Sequence, residues 1–321
     1  MDHSKSLSVL LIAFRRVDSI QAILDISLEA GIRRIYVALD LATSREGARE
    51  QAQILELLNA YQRRFDLLSV HKQTTNVGCA VSVLTGLDWI FLQEEFACVL
   101  EDDCIPSIDF FRYIEDSKQY LDSDDSLMLA CGTQFAPDSL TQGVWMKSSY
   151  SLTWGWATTR EKWNKLRLDF FMLANSNRKM FHKHELKHLF DEDLCYWNSG
   201  SRRAHLGFVD VWDTILVRNL QVRKQFALLP ATSLITNIGS DAFATHTKVS
   251  KWTNLPIGTY KRSHVPPNVD LNIDRWLRNN FFKIRFRHIF STRVTALKDK
   301  FSKPSRPPLL KRWLENQIID L

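Results

Sequence analysis

The first 130 residues alternate between short runs of aliphatic residues and longer stretches in which apolar residues recur at helical spacing. The short runs predict buried strands, and the longer stretches predict helices with one apolar face. The predicted strands are Leu7–Phe14, Arg34–Leu39, Leu67–Val70, Ala97–Leu100 and Leu127–Cys131. The predicted helices are Ser19–Glu29, Glu46–Phe65, Ala80–Leu92 and Ile108–Leu121. This alternation favours an α/β fold with a mostly parallel sheet and helices on both faces.

The chain changes character near Val144 and again near residue 274. From Val144 it is rich in loops and tryptophan, and we expect most of these rings to lie in the core. Residues 274–313 hold twelve Lys and Arg against two acids, a net charge of +10, which leaves −4 for the rest of a chain whose total is +6. We therefore divide the chain into a domain at 1–260, with halves 1–135 and 136–260, and a basic helical C-terminal extension at 261–321.

The composition indicates a packed protein that needs no covalent staples. The chain has 321 residues, 45% of them hydrophobic and 24% charged, which is enough for a large core. Its five cysteines are odd in number and scattered without a C-x-x-C pair, so we expect a reducing compartment and a cytoplasmic location. The apolar run at 7–14 is followed at once by charged residues and no cleavage site, which favours a strand over a signal peptide. No stretch reaches the roughly 20 apolar residues that a membrane-spanning helix needs.

Polar side chains follow each of the first four predicted strands. They are Arg15 and Arg16, Asp40, Asn76 with Gly78, and the run Glu101, Asp102 and Asp103. Ligands of open α/β sheets bind outside the carboxyl ends of the strands, so these positions are candidates for ligand contacts. The chain has neither G-x-G-x-x-G nor G-x-x-x-x-G-K-[ST], which argues against dinucleotide oxidoreductases and P-loop enzymes.

Three consecutive acids, Glu101 to Asp103, end the fourth strand. Their mutual repulsion and their oxygen ligands suit a divalent cation such as Mg²⁺ or Mn²⁺. A solvated acidic turn before the helix near Ser107 would have the same pattern, because acids favour a helix start. The position after the fourth strand of an α/β sheet favours the metal.

A second acidic pair, Asp210 and Asp213, lies among apolar residues. One of these carboxylates is a candidate general base, because apolar surroundings raise the pKa of an acid; the alternative is a helix start with exposed acids. Further along, His246 lies in a polar loop and is a candidate contact for a metal or a phosphate, although a lone histidine is more often neither.

The segment His184-Glu185-Leu186-Lys187-His188 matches H-E-x-x-H, the helical zinc motif of metallopeptidases. Its surroundings argue against that function. No third histidine follows at metzincin spacing, and Phe208 stands where a thermolysin-like enzyme would have its glutamate ligand. A zinc peptidase using His184, Glu185 and His188 is kept as an alternative function.

The ordered set of motifs resembles the nucleotide-sugar glycosyltransferases of the GT-A fold, which is Rossmann-like. The set comprises residues 8–16, Asp40, 76–78, 99–103, the Trp154-Gly155-Trp156 segment up to Trp163, and Trp212-Asp213. It is similar to bacterial surface-polysaccharide transferases and, more distantly, to the N-acetylglucosaminyltransferase that starts complex N-glycans. The resemblance implies a metal-dependent inverting hexosyl- or N-acetylhexosaminyltransferase. Its donor would be a nucleotide sugar, a UDP-sugar in the first place, and its acceptor a glycan or lipid-linked saccharide.

The resemblance also implies roles for individual residues. Asp103 would bind Mn²⁺ or Mg²⁺, with His246 as a further ligand. Arg15, Arg16, Asp40, Asn76, Gly78, Glu101 and Asp102 would contact the donor. Asp213 matches the general base, with Asp210 as its rival, and Trp154, Gly155 and Trp156 would meet the acceptor. Ile215 departs from the aromatic that the eukaryotic relatives often have two positions after Trp-Asp.

The basic segment 274–313 interleaves its cations with aromatic residues. Such stretches bind anionic membrane surfaces, at about 1 kcal/mol per cation near the lipid, which predicts peripheral attachment to the inner face of the membrane. A solvated helix packed on the body is the plain alternative. The acidic body and the lack of a recognition motif argue against nucleic acid. A catalytically inactive sugar-binding relative would share all of these features.

Overall fold

A computed structural model describes residues 7–175, 192–239, 252, 255, 257–262, 266–284 and 287–316. Within these ranges the chain forms a nine-stranded mixed sheet and a separate two-stranded ribbon. Five of the eight strand pairs in the large sheet are parallel, and buried clusters cover both of its faces. The predicted α/β class, with a mostly parallel sheet and helices on both faces, is therefore confirmed.

The described elements follow one another along the first 131 residues as predicted, except that the short strand β5 was not predicted. The strands are β1 (Ser8–Ala13), β2 (Arg34–Leu39), β3 (Leu67–Lys72), β4 (Phe96–Glu101), β5 (Cys104–Pro106), β6 (Leu127–Cys131), β7 (Met146–Ser148), β8 (Trp156–Thr159), β9 (Phe226–Leu229), β10 (Ile235–Asn237) and β11 (Asn268–Val269). The helices are α1 (Val17–Glu29), α2 (Arg45–Tyr61), α3 (Cys79–Gln93), α4 (Ile108–Ser123), α5 (Asp138–Thr141), α6 (Arg160–Asn175), α7 (Glu192–His205), α8 (Asp213–Arg223), α9 (Leu271–Trp276), α10 (Arg287–Phe301) and α11 (Leu309–Glu315).

The order of the large sheet is β11-β7-β9-β6-β8-β4-β1-β2-β3. The strands β3, β2, β1 and β4 are parallel, so their carboxyl ends meet at one edge. Alternate side chains of β1 enter different cores: Leu10 and Ile12 on one face, Val9 and Leu11 on the other. Because both faces are buried, the strand is an unbroken apolar run, which explains why the sequence predicts it.

The second half of the chain extends this sheet with short strands. β8 lies between β4 and β6 and is antiparallel to both. β9 continues parallel to β6, and β7 runs antiparallel to β9. Strands of two to four residues leave no readable alternation in the sequence, so β7 to β11 were not predicted.

The basic C-terminal segment completes the same core. Leu277, Ile284 and Trp313 belong to the buried cluster on one face of the sheet, and the indole of Trp313 donates a hydrogen bond to Asp88 of α3 at 2.8 Å. The carboxylate of Asp274 accepts hydrogen bonds from two serines at the end of β7. Across the described ranges no helix is both long and apolar enough to cross a membrane.

Candidate functional site

Two adjoining cavities open at the edge where β1, β2 and β4 end. The large cavity has a volume of about 500 Å³ and the small cavity about 130 Å³. Glu101, Asp103 and Cys79 line both, so they form the wall between the two cavities. The large cavity is of a size that holds nucleotide-like ligands. Trp154 and Asp213 line only the small cavity.

Asp102 braces the loop that follows β1. Its carboxylate accepts hydrogen bonds from the N–H groups of Phe14 at 2.8 Å and Arg15 at 3.1 Å, and from Nη1 of Arg16 at 2.8 Å. The residue is buried, and both of its oxygens are engaged within the protein. Its geometry therefore fits a positioning role. Arg16 is held on the wall of the large cavity, with Nη1 4.0 Å from Oδ2 of Asp103.

Arg15 takes a different direction from Arg16. Its guanidinium pairs with Glu50 and Glu46 of α2, and the hydrogen bond that it donates to Glu50 is the main reason that its pKa is raised. Arg15 is absent from the described linings of both cavities. Of the two arginines predicted to meet the donor, the structure brings Arg16 to the cavity wall.

Asp40 ends β2 and ties down the loop that follows β3. Its carboxylate accepts the N–H groups of Leu41 at 2.9 Å, Val77 at 2.8 Å and Gly78 at 2.8 Å, and Asn76 Nδ2 lies 3.3 Å away. Burial raises the pKa of Asp40, and the backbone hydrogen bonds oppose that rise. Asp40, Asn76 and Gly78 all line the large cavity, as one braced loop.

We expect Asp40→Ala to lower the free energy of unfolding by about 3 kcal/mol, because it strands several buried N–H groups that each lose a hydrogen bond to a carboxylate. Urea denaturation measures this loss. Asp66→Ala, which removes an exposed acid, is the matched control and should change stability by less than about 0.5 kcal/mol. A loss for Asp40→Ala as small as that of the control would contradict the bracing role.

Glu101 and Asp103 are the acids that line both cavities. Asp103 Oδ1 lies 3.3 Å from the side-chain amide of Asn237. Burial, followed by the charges of Asp103 and Asp102, raises the pKa of Glu101 to about 8. Burial and the charge of Asp102 also raise the pKa of Asp103. Arg16 balances only part of this negative charge, so a cation beside Asp103 would relieve the repulsion.

The chemistry of Glu101 and Asp103 fits a divalent cation that is held by one or two carboxylates, with phosphates of a bound substrate supplying further ligands. Carboxylate oxygens are the ligands that Mg²⁺ and Mn²⁺ prefer. In the described part of the chain, no group of three or more His, Cys, Asp or Glu side chains converges as a metal cage does. Mg²⁺ is commonly bound by one or two carboxylates, with substrate phosphates and water completing its shell, and Asp103 suits that arrangement. His246, the predicted second ligand, lies outside the described residues.

The two candidate bases have different surroundings. Asp210 accepts a hydrogen bond from the N–H of Cys79 at 3.0 Å and from Nη2 of Arg312 at 3.1 Å, and Nε of Arg306 lies 3.7 Å from it. Asp213 begins α8, is exposed, and lines the small cavity. A base must be able to reach the proton that it removes. That requirement favours Asp213 over an acid held by two arginines.

The two tryptophans of the 154–156 segment have different surroundings in the fold. Trp154 is half-buried and lines the small cavity, with its ring edge-on to Phe135 at 5.1 Å. Trp156 is buried in β8 and packs against Trp212 at 5.4 Å between ring centroids. Trp156 therefore supports the residue just before Asp213. Gly155 adopts a φ of +67° and a Cβ there would lie 2.6 Å from Ile235, so the position requires glycine.

The zinc motif and one cysteine are two further candidates for chemistry. His184, Glu185 and His188 lie outside the described residues. Cys79 faces both cavities, but burial and the charge of Glu101 raise the pKa of its thiol well above the usual range. A protonated thiol is a poor nucleophile, so the structure does not favour covalent catalysis by Cys79.

Several residues that line the large cavity were not predicted as site residues, among them Ser82, Gly239, Ser305 and Arg306. Gly239 lies so close to Asp103 that a Cβ there would be 2.1 Å from Oδ2. Ser82 follows the first turn of α3 and has apolar neighbours in the sequence, so no local pattern marks it as a ligand contact. Ser305 and Arg306 come from the basic segment, and only the folded chain brings them beside Asn76.

Comparison with known proteins leaves the family open. No family model matches this chain, and no curated protein matches it. Among solved structures, the chain is similar to a protein from Bacillus anthracis described as a glucose-1-phosphate thymidylyltransferase in complex with sucrose. The TM-score is 0.35 and the identity 10%, over 50% of this chain and 74% of that one. A similarity of this size does not identify a function.

Proposed function

We propose that this protein is a metal-dependent inverting glycosyltransferase of the GT-A type that transfers a hexosyl or N-acetylhexosaminyl group. Its donor would be a nucleotide sugar, a UDP-sugar in the first place, and its acceptor a glycan or lipid-linked saccharide of polysaccharide biosynthesis. The observation that carries the proposal is that Glu101 and Asp103 line both cavities, while Asp213 lines only the smaller one.

The large cavity supports the donor half of this proposal. Arg16 and the braced loop at 76–78 line it, and Asp103 lines it where it adjoins the small cavity. Displacing a nucleoside diphosphate requires stabilisation of charge on the leaving phosphates, which Mn²⁺ or Mg²⁺ at Asp103 would supply. Asp40 and Asp102 contribute by fixing the loops, because their oxygens already accept backbone N–H groups.

The small cavity supports the acceptor half. Trp154 offers part of an aromatic ring, a common platform for the apolar face of a sugar, and Asp213 lies in the same lining. An inverting displacement needs one base, opposite the leaving group across the reacting sugar. Asp213 would remove the proton of the attacking hydroxyl while the leaving phosphates remain in the large cavity.

Turnover assays test the proposal and separate it from an inactive relative. The purified chain with Mn²⁺ and a panel of UDP-, GDP-, CMP- and dTDP-sugars should release the nucleotide of one donor class, slowly to water and faster when a saccharide acceptor is added. Donor binding without release in the presence of acceptors would favour a sugar-binding relative. Peptidase activity with bound zinc would favour the alternative at His184, Glu185 and His188.

We propose further that α10 rests on an anionic membrane surface. Val294, Leu297 and Phe301 are 51%, 55% and 90% exposed, and their spacing of three and four puts them on one face of the helix. Exposed Lys298 and Lys300 flank that face, as in helices that lie at lipid interfaces. This would place the enzyme at the inner face of the membrane, near lipid-linked acceptors.

The double variant Leu297→Glu/Phe301→Glu should reduce binding to vesicles of anionic lipid by at least tenfold, because burying each such side chain contributes about 1.5–3 kcal/mol. Co-sedimentation with vesicles rich in phosphatidylglycerol measures the change. Leu92→Glu, at a residue 65% exposed on α3, is the matched control and should bind as the wild type does. Equal binding of all three proteins, or binding to neutral vesicles alone, would contradict the lipid surface.

A further inference from the structure

The link between α10 and α11, residues 302–308, contributes Ser305 and Arg306 to the lining of the large cavity. Ser305 Oγ and the N–H of Arg306 both donate hydrogen bonds to the carbonyl of Gly207, at 3.0 and 3.2 Å. Gly207 has a φ of +79°, and a Cβ there would lie 2.1 Å from the carbonyl oxygen of Arg306. Any larger residue at position 207 would therefore displace the link, so this position requires glycine.

The helix that follows anchors this link to the body of the protein. Arg312 of α11 is buried, and it donates hydrogen bonds to the carbonyl of Val77 at 2.8 Å and to Asp210 at 3.1 Å. Leu309 and Trp313 are buried in the core. These contacts hold the end of the link firmly, so the position of Arg306 follows from the fold and does not depend on its own side chain.

Arg306 points its guanidinium into the large cavity. Nη2 lies 3.3 Å from Asn76 Oδ1, and a Cβ on Gly78 would lie 2.3 Å from Nη1. Among the described residues its nearest acid is Asp210, at 3.7 Å, and that carboxylate has closer partners in Arg312 and the N–H of Cys79. The side chain remains one third exposed. Arg306 thus has donors to offer to a ligand.

We propose that Arg306 binds a phosphate group of the ligand in the large cavity, in the first place the diphosphate of a nucleotide. The cavity is lined by several acids, and Arg16, the other described cation in it, is already paired with Asp102. A planar guanidinium presents its N–H groups in the geometry that phosphate oxygens require. The basic C-terminal segment thereby contributes to the ligand site as well as to the core.

The test measures the binding of three ligands by isothermal titration calorimetry in the presence of Mn²⁺. They are the nucleoside diphosphate that binds most tightly among UDP, GDP, CDP and dTDP, the matching nucleoside, and inorganic pyrophosphate. Arg306→Ala should weaken the binding of the nucleoside diphosphate and of pyrophosphate at least tenfold. It should leave the affinity for the nucleoside unchanged. Arg306→Lys should recover part of the loss, because it restores the charge without the planar fork. Lys303→Ala, an exposed cation on the same link, should bind all three as the wild type does.

This inference rests on the proposed function, yet the two fail in different ways. If Arg306→Ala binds the nucleoside diphosphate as tightly as the wild type, the role of Arg306 is overturned and the proposed function stands. If the wild type binds pyrophosphate through Arg306 but no nucleoside diphosphate, the anion site stands and the proposed function falls. If the wild type binds neither ligand, both are overturned.

Discussion

Asp213→Asn is expected to lower turnover about a thousandfold while leaving the affinity for the donor within twofold of the wild-type value. A positioned general base contributes about 10²–10⁴-fold to rate, and asparagine keeps the shape of the side chain but cannot accept the proton. Asp213 lines the small cavity and not the large one, so donor binding should be spared. Steady-state kinetics of donor consumption, with titration of the donor on the same variant, measure both quantities.

Asp210→Asn provides the contrast to this result. Asp210 is held between Arg312 and the N–H of Cys79, and neutralising it leaves a buried guanidinium without its ion pair. Its main effect should therefore be on stability, by several kcal/mol. If Asp213→Asn turns over normally while a folded Asp210→Asn is inactive, the assignment of the base to Asp213 is wrong.

Asp103→Asn is expected to abolish metal-dependent donor binding, with a loss of at least a hundredfold in affinity in the presence of Mn²⁺. An amide lacks the charge that holds a hard divalent cation beside phosphates. In the metal-free protein the same change should leave the unfolding temperature equal or raise it, because it relieves the repulsion that raises the pKa of Asp103 and Glu101. The opposite signs of these two effects separate a ligand role from a structural one.

The matched control is Asp125→Asn. Its side chain is 95% exposed and belongs to neither cavity, so the charge changes equally while binding and stability should both remain as in the wild type. Donor binding by Asp103→Asn that still depends on Mn²⁺ would show that the cation is held elsewhere. A lower unfolding temperature in the metal-free protein would instead indicate that Asp103 is a structural acid.

The fold of the first half could be predicted because its strands are buried on both faces. β2 and β6 were predicted to the residue, since Arg34–Leu39 and Leu127–Cys131 are compact apolar runs. The short strands after Met146 depend on contacts with β4, β6 and β9 rather than on their own pattern. The burial of Trp313 against Asp88 joins residues 225 positions apart, and no local signal announces such a contact.

The site was predicted at the level of location. With the exception of Arg15, the predicted polar residues after β1, β2, β3 and β4 meet around one cavity, because parallel strands bring their carboxyl ends together. The sequence alone does not show which of these acids accept hydrogen bonds within the protein and which remain available to a ligand. Asp40 and Asp102 satisfy backbone N–H groups, whereas Asp103 faces the cavity, and this division depends on loop geometry. The same reasoning treated Arg306 only as part of a basic tail.

The measurement that tests the central claim most directly is the titration of UDP-, GDP-, CMP- and dTDP-sugars into the purified chain with and without Mn²⁺, followed by thermal unfolding. We predict that one donor class binds only when the metal is present. At a concentration of a hundred times its dissociation constant, that donor should raise the free energy of unfolding by about 2.7 kcal/mol. Donor binding that is equally tight without any divalent cation would contradict the metal-dependent site at Asp103. Failure of every donor to bind, with zinc bound to the purified protein, would contradict the glycosyltransferase itself.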